Sequence, residues 1–292
     1  MATSTASLSV PKRRHRENRA WRQLRRNPRT IFGIVVIVII VLAAVFAPFV
    51  SPYEPNSQNL RSRLEAPSAT HLLGTDEFGR DVLSRIIFGG RVSLQVGFIS
   101  VGIALVIGGG MGLLGGYYGK RVDSVLMAIV DVLLALPAFL LALAIIAALG
   151  PGLINVMIAV GIANIPAFAR ITRSAVLTVR EQDFVAAALA AGSSDLRVML
   201  KHIIPNALSP VIVQVTLSLA GAILAAAGLS FLGMGAQPPT PEWGSMLSKS
   251  RPFIRDAHWA VTFPGLAIVI TVLALNFVGD GLRDALDPRK KR

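Results

Sequence analysis

Four histidines, one glycine–lysine step and a few carboxylates are the groups in this chain that could do chemistry, and their spacing argues against each reaction in turn. His15, His71, His202 and His258 fall in tails, loops or the margins of apolar runs, and no H-E-x-x-H sets two of them on one helix face to hold zinc. Gly228-Leu229-Ser230-Phe231-Leu232-Gly233 has one residue too many for the G-x-S-x-G turn that presents a nucleophilic serine. Gly119-Lys120 resembles the end of a phosphate-cradling loop. Leu114 stands where its first glycine belongs, however, and Arg121 where a hydroxyl would hold magnesium. Asp76, Glu77 and Asp81 could suggest calcium, but Phe78 interrupts the alternation of ligands; turn and helix capping is favoured, with Asp81 and Arg85 forming an i, i+4 pair. With no cysteine there is neither a thiolate nucleophile nor a disulfide framework. The expectation is a chain that is not an enzyme and needs no cofactor or metal of its own.

The elements around these groups are unusually apolar. Of 292 residues 53% are hydrophobic and only 15% charged, against about 25% charged in soluble domains. Five stretches lack Asp, Glu, Lys and Arg altogether: Thr30 to Tyr53, Val92 to Gly119, Val132 to Ala169, Ile203 to Pro241 and Ala257 to Gly279. A membrane-crossing helix needs about 20 apolar residues, so the third run is long enough for two, divided at Gly150-Pro151-Gly152. The fold class expected is an all-α integral membrane protein with six transmembrane helices, at about 31–50, 93–117, 124–149, 153–171, 208–233 and 261–279. Around them lie a basic tail (1–30), an external loop with an amphipathic helix (51–92), a five-helix core (93–280) and a C-terminal stretch (281–292). The core contains a loop at 178–207 and an external loop at 234–260.

Basic residues orient the array. Nine Lys and Arg precede the first run; placing both termini in the cytoplasm puts 21 basic residues inside and eight outside, where seven acids accompany them. The net charge of +13 is therefore read as a topology signal and a lipid-facing anchor, not as a nucleic-acid surface. The first apolar run is longer than a signal-peptide core and lacks a clean cleavage site, so it is expected to remain as an anchor.

Two features sit at membrane depth. Gly108, Gly112 and Gly116 recur every four residues, baring one helix face for close approach of a neighbour; a glycine-lined solute path is the alternative. Asp131 is the charged residue expected inside a span. It could be functional, or it could sit near a helix N-terminus and pair with an arginine on the cytoplasmic side. An ion-coupled carrier would be expected to show more ionisable groups and an internal repeat.

The loop between the fourth and fifth spans reads as two short helices. Glu181 and Asp183 suit a first turn, Phe184 to Ala191 propagates it, and Gly192 supplies the left-handed residue that ends it. Ser194 or Asp195 then caps a second helix, in which Leu196, Met199, Leu200 and Ile203 share a face opposite Arg197 and Lys201, with Pro205 limiting the run. Eight consecutive apolar residues are too few to span a bilayer. They suggest burial in a groove of another protein, or packing against this chain's own helix ends.

This segment resembles the EAA loop of ABC-importer permeases, in which E-A-A, three residues, Gly, nine residues and I-x-L-P recur. Ala187, Ala188, Gly192 and Pro205 match in register, while Ala186 replaces the Glu, His202 the Ile and Ile204 the Leu. Leu73 to Arg85, Gly235 to Gly244 and Gly279 to Pro288 are likewise similar to segments of the dipeptide/oligopeptide permease family, second or C-type subunit, over about residues 20–290. The resemblance implies a type I ABC importer transmembrane-domain fold in a bacterial or archaeal plasma membrane. It also implies a second permease subunit, an external substrate-binding protein, and two ATPase subunits holding ATP and Mg. Asp183, Phe184, Ala186, Ala187, Ala188, Gly192, Asp195 and Pro205 would form the loop that couples to the ATPases. The rival reading is an ion-coupled carrier or channel without ATPases. Three prolines stiffen the stretch from Gln237 to Trp243, with Trp243 expected at the membrane interface or under a docking partner.

Overall fold

A computed structural model of the chain describes residues 27–286; the basic residues of the tail up to Arg26 and those from Asp287 onward lie outside the described residues. Helix α1 (Pro28–Val45) opens on an Asn27 cap whose side chain accepts from the Arg29 amide at 3.1 Å. It is followed by α2 (Val82–Tyr118), α3 (Lys120–Leu134), α4 (Ala138–Leu149), α5 (Leu153–Arg180), α6 (Asp183–Ala190), α7 (Asp195–Phe231), α8 (Trp243–Ser250) and α9 (Trp259–Leu286). Among these, α1, α2, α5, α7 and α9 are each long and apolar enough to cross a membrane, and α3 with α4 makes a sixth span if the bent pair counts as one. The end of the bundle bearing α6 is termed basal here, and the end bearing residues 51–81 and 233–258 apical.

The sixth span departs from expectation. The continuous helix expected at 124–149 is two helices meeting at 85°. Pro137 has no N–H to continue the ladder and disfavours α geometry at Leu136, so α3 stops and α4 restarts with Pro137 extended at ψ 136°.

Two other spans begin well before their charge-free runs. The amphipathic helix expected within 51–92 is the first part of α2, which runs unbroken for 37 residues from its Asp81 cap, where the carboxylate accepts from Ser84 N at 2.8 Å. The expected Asp81–Arg85 side-chain pair does not form. Arg85 instead donates to Pro55 O at 2.8 Å and to Asn56 Oδ1 at 3.2 Å, and faces Asp76 at 3.4 Å. Nor does Pro205 limit its helix. One wide turn at Met199–Ile203, closed by Ile204 N–H to Met199 O, carries the chain past the proline into the rest of α7.

Helices α2, α5 and α7 form the centre, where Val96, Val101, Ala104, Val156, Val160, Phe168, Ile223 and Leu229 are buried together. α1 lies against α9, with Gly33 so close that a methyl there would sit 2.7 Å from Ala274 O. At the apical end Trp243 is 2% exposed, resting on Gly89 and Gly90 and donating to Ile86 O at 2.9 Å. It is thus a core residue of the α8–α2 junction and not the exposed aromatic expected from its proline-rich loop. The Glu242 carboxylate caps α8 beside it, accepting from Gly244 N and Ser245 N.

Candidate functional site: the basal bend and its supports

The basal segment is built from the bend outward. Gly192 has φ +78°; its N–H reaches Leu189 O at 2.9 Å and Ser193 N–H reaches Ala188 O at 3.1 Å, the paired bonds of a Schellman ending. A Cβ at Gly192 would meet nothing within 4 Å, so the demand for glycine there is conformational and not steric. Asp183 stands in the first turn of α6, whereas Glu181 caps the end of α5 instead of opening α6. Ser194 occupies the cap position of α7 without a side-chain capping bond. Asp195 accepts from the Tyr117 hydroxyl at 2.8 Å, tying the start of α7 to the end of α2.

Only part of this segment is satisfied by its own chain. Val185 is buried with Tyr117, Val176, Val179, Val198, Met199, Ile203 and Ala207, and Ala188 packs against that cluster. The remainder faces outward: Phe184 is 43% exposed, Leu189 45%, Leu196 63% and Leu200 56%, and Asp183, Ala186, Ala187 and Pro205 are exposed as well. The single face expected for Leu196, Met199, Leu200 and Ile203 is therefore divided. Met199 and Ile203 turn inward with Val198 while Leu196 and Leu200 turn out, because the wide turn shifts register within that interval.

The supports lie on α2, α3 and α5. Gly108, Gly112 and Gly116 all face α5: a methyl would press on Ile165 O at the first, on Ala169 O and Arg173 N at the second, and on Val176 at the third. The Arg173 guanidinium donates to both Asp123 oxygens, with Nη2 to Oδ2 at 2.6 Å, clamping α3 to α5 near the basal end. Asp131 meets Arg170 at 2.8 Å, again between α3 and α5; the sequence suggested an arginine partner without naming one. At the apical end Arg80 reaches Asp76 at 2.6 Å and Glu77 at 3.2 Å, so these carboxylates are engaged by cations of this chain. Burial lowers the pKa of the neighbouring Lys249 ammonium, and the positive charges of Arg85 and Arg80 lower it further. The burial of Arg80 and Glu242 was not readable in the sequence, where a buried charge and a solvated one look alike.

The geometry agrees with comparisons to known proteins. Residues 97–292 match the family described as binding-protein-dependent transport system inner membrane component, and residues 18–67 match the N-terminal TM domain of oligopeptide transport permease C. A dipeptide transport system permease protein of Alkalihalophilus pseudofirmus is 50% identical over 272 residues, covering 93% of this chain and 90% of that one. A di/tripeptide transport system permease protein of Pseudomonas aeruginosa is 50% identical over 277 residues, covering 93% and 91%. An inward-facing structure of the MetNI methionine ABC transporter shares the fold with a TM-score of 0.57 at 20% identity, over 70% of this chain and 97% of that one. A helical multi-pass bundle with this fold and these relatives is a transport subunit and not an enzyme, and the chain belongs to the binding-protein-dependent permeases of ABC importers.

Proposed function

We propose that this chain is one of two permease subunits framing a membrane path for peptides, driven by ATP and Mg bound on two separate ATPase subunits. The ATPases dock at the basal bend, and an external binding protein delivers cargo at the apical end. Both termini then lie in the cytoplasm of a bacterial or archaeal plasma membrane, as the 21 basic residues on that side favour.

One observation carries the reading. Phe184, Leu189, Leu196 and Leu200 stand exposed around a bend that is held firmly from behind. Residues beyond the bilayer gain nothing from lipid, so such a set calls for a protein groove. The bend is anchored through Val185 to α5 and α7, and through Asp195 to α2. A push on α6 therefore reaches three spans as a rigid-body displacement. The Glu of the family loop is Ala186 here, so docking rests on apolar contact and not on that charge. Peptide as cargo follows from the relatives at 50% identity.

Because the chain has no cysteine, Leu196→Cys provides a single reporter thiol. A short bifunctional cross-linker should join it to an ATPase in the assembled complex, while Phe32→Cys on α1 should give no such product. Failure to capture an ATPase from Leu196→Cys in an actively transporting complex refutes the docking assignment.

A further inference from the structure

The Asp131–Arg170 pair has no role in the coupling scheme, and the α5 face on which it lies does not suit lipid. Asp131 lies eleven residues beyond Lys120 on α3, and Arg170 ten residues before Arg180, at the basal margin of the span expected at 153–171. Both side chains are more than half exposed, 63% and 59%. An ion pair facing hydrocarbon is costly even at that margin and is better placed at a protein interior or a wet cavity.

The flanking residues decide between oil and water. Along α3 the exposed positions in step with Asp131 are Ser124, Ala128, Leu134 and Ala135, with Val125, Ile129 and Val132 exposed beside them; along α5 those in step with Arg170 are Ala167, Ser174 and Thr178. From Met157 to Val179, α5 exposes no large apolar side chain. By contrast α1 exposes Phe32, Val35, Val38, Ile39 and Leu42, and α9 exposes Leu266, Val269, Ile270 and Leu273. Those two helices carry a lipid-facing surface, as does α3 through Val125, Ile129 and Val132, whereas the Arg170 face of α5 is small and polar.

The pair also has capacity to spare. One bond joins Arg170 Nη2 to Asp131 Oδ1, leaving Oδ2 and the other guanidinium N–H groups without a partner among the described residues. We propose that Asp131 and Arg170 form a station on the solute path that takes the two ends of a zwitterion, an ammonium at Asp131 and a carboxylate at Arg170. This rests on the peptide-import reading. A neutral pair offers both charges without placing net charge in the path, and it can re-form its own bond once the solute has left.

The test uses the complete complex of two permeases and two ATPases in proteoliposomes, with single cysteines in this naturally cysteine-free chain. Ala167→Cys and Ser174→Cys should react with a charged, membrane-impermeant methanethiosulfonate about ten-fold faster than Val35→Cys on α1, since a thiol in hydrocarbon is shielded from a charged reagent. Dialanine should slow that labelling, dialanine amide should not, and Arg170→Gln should abolish the protection. Thiols as slow as Val35→Cys in a complex that imports dipeptide would overturn the path assignment while leaving the import reading intact. Fast labelling that dialanine never slows would overturn the ligand assignment. If no dipeptide is imported at all, the import reading itself falls, and the labelling rates still decide whether this face is wet.

Discussion

Gly112 offers the most quantitative check on how the bundle is held together. Alanine there would put a methyl 2.8 Å from Arg173 N and from Thr172 Cβ, and closer still to Ala169 O. Two of these three atoms are backbone of α5, so no rotamer change relieves the contact and α2 must move off by about half an ångström or more. Overpacking of this kind costs about 1–3 kcal/mol, and the upper end applies where backbone must yield. Alanine recovers about 0.5–1 kcal/mol through helix propensity, leaving a net loss of about 2 kcal/mol, or about 30-fold in the folding equilibrium. Gly102 and Gly110, on the same helix, have nothing within 4 Å of the added methyl. Gly102→Ala and Gly110→Ala should therefore be neutral or stabilising by up to about 1 kcal/mol. Denaturant titration of the purified chain in mixed micelles, followed by helix signal, measures all three on one scale. Equal stability of Gly112→Ala and Gly110→Ala would refute the claim that close approach of α5 is what requires glycine at 112.

Two further outcomes follow from the geometry. Gly192→Val has room for its side chain but must hold a β-branched residue at φ +78°, a local cost of about 1–2 kcal/mol. Uptake and transport-coupled ATPase should fall while membrane insertion is unchanged; full uptake in a complemented strain would defeat the role given to the bend. Burial raises the pKa of the Glu242 carboxyl above its usual 4.5, against the lowering effect of the Gly244 and Ser245 amides that it accepts from. The folded state therefore holds its proton more tightly than the unfolded chain, so stability falls as pH rises from 4.5 through the raised value. Thermal melts across that window should show wild type losing stability relative to Glu242→Gln, whereas parallel curves would contradict the sign.

Several features were legible in the sequence because their cause is local. Charged side chains and unpaired backbone groups are each expensive in hydrocarbon, residue by residue, so charge-free runs mark the spans wherever they pack. Gly192 was readable for the same reason: a left-handed ending after an apolar helix needs glycine whatever surrounds it. The fourfold glycine spacing on α2 announced a close neighbour, but only the packing identified it as α5.

Other decisions belonged to the tertiary structure. Pro137 breaks its span by 85°, whereas Pro166, Pro210 and Pro264 sit inside helices that continue past them; the residue type is the same and the surroundings decide. Trp243 could have been an exposed interfacial ring until Gly89 and Gly90 were seen to leave it a slot. Asp131 could have joined any of several arginines, and α3 had to cross α5 before Arg170 became its partner. Solvation free energy adds along the chain and can be read in order. Pairing depends on distances between segments far apart in sequence, and those exist only once the helices have packed.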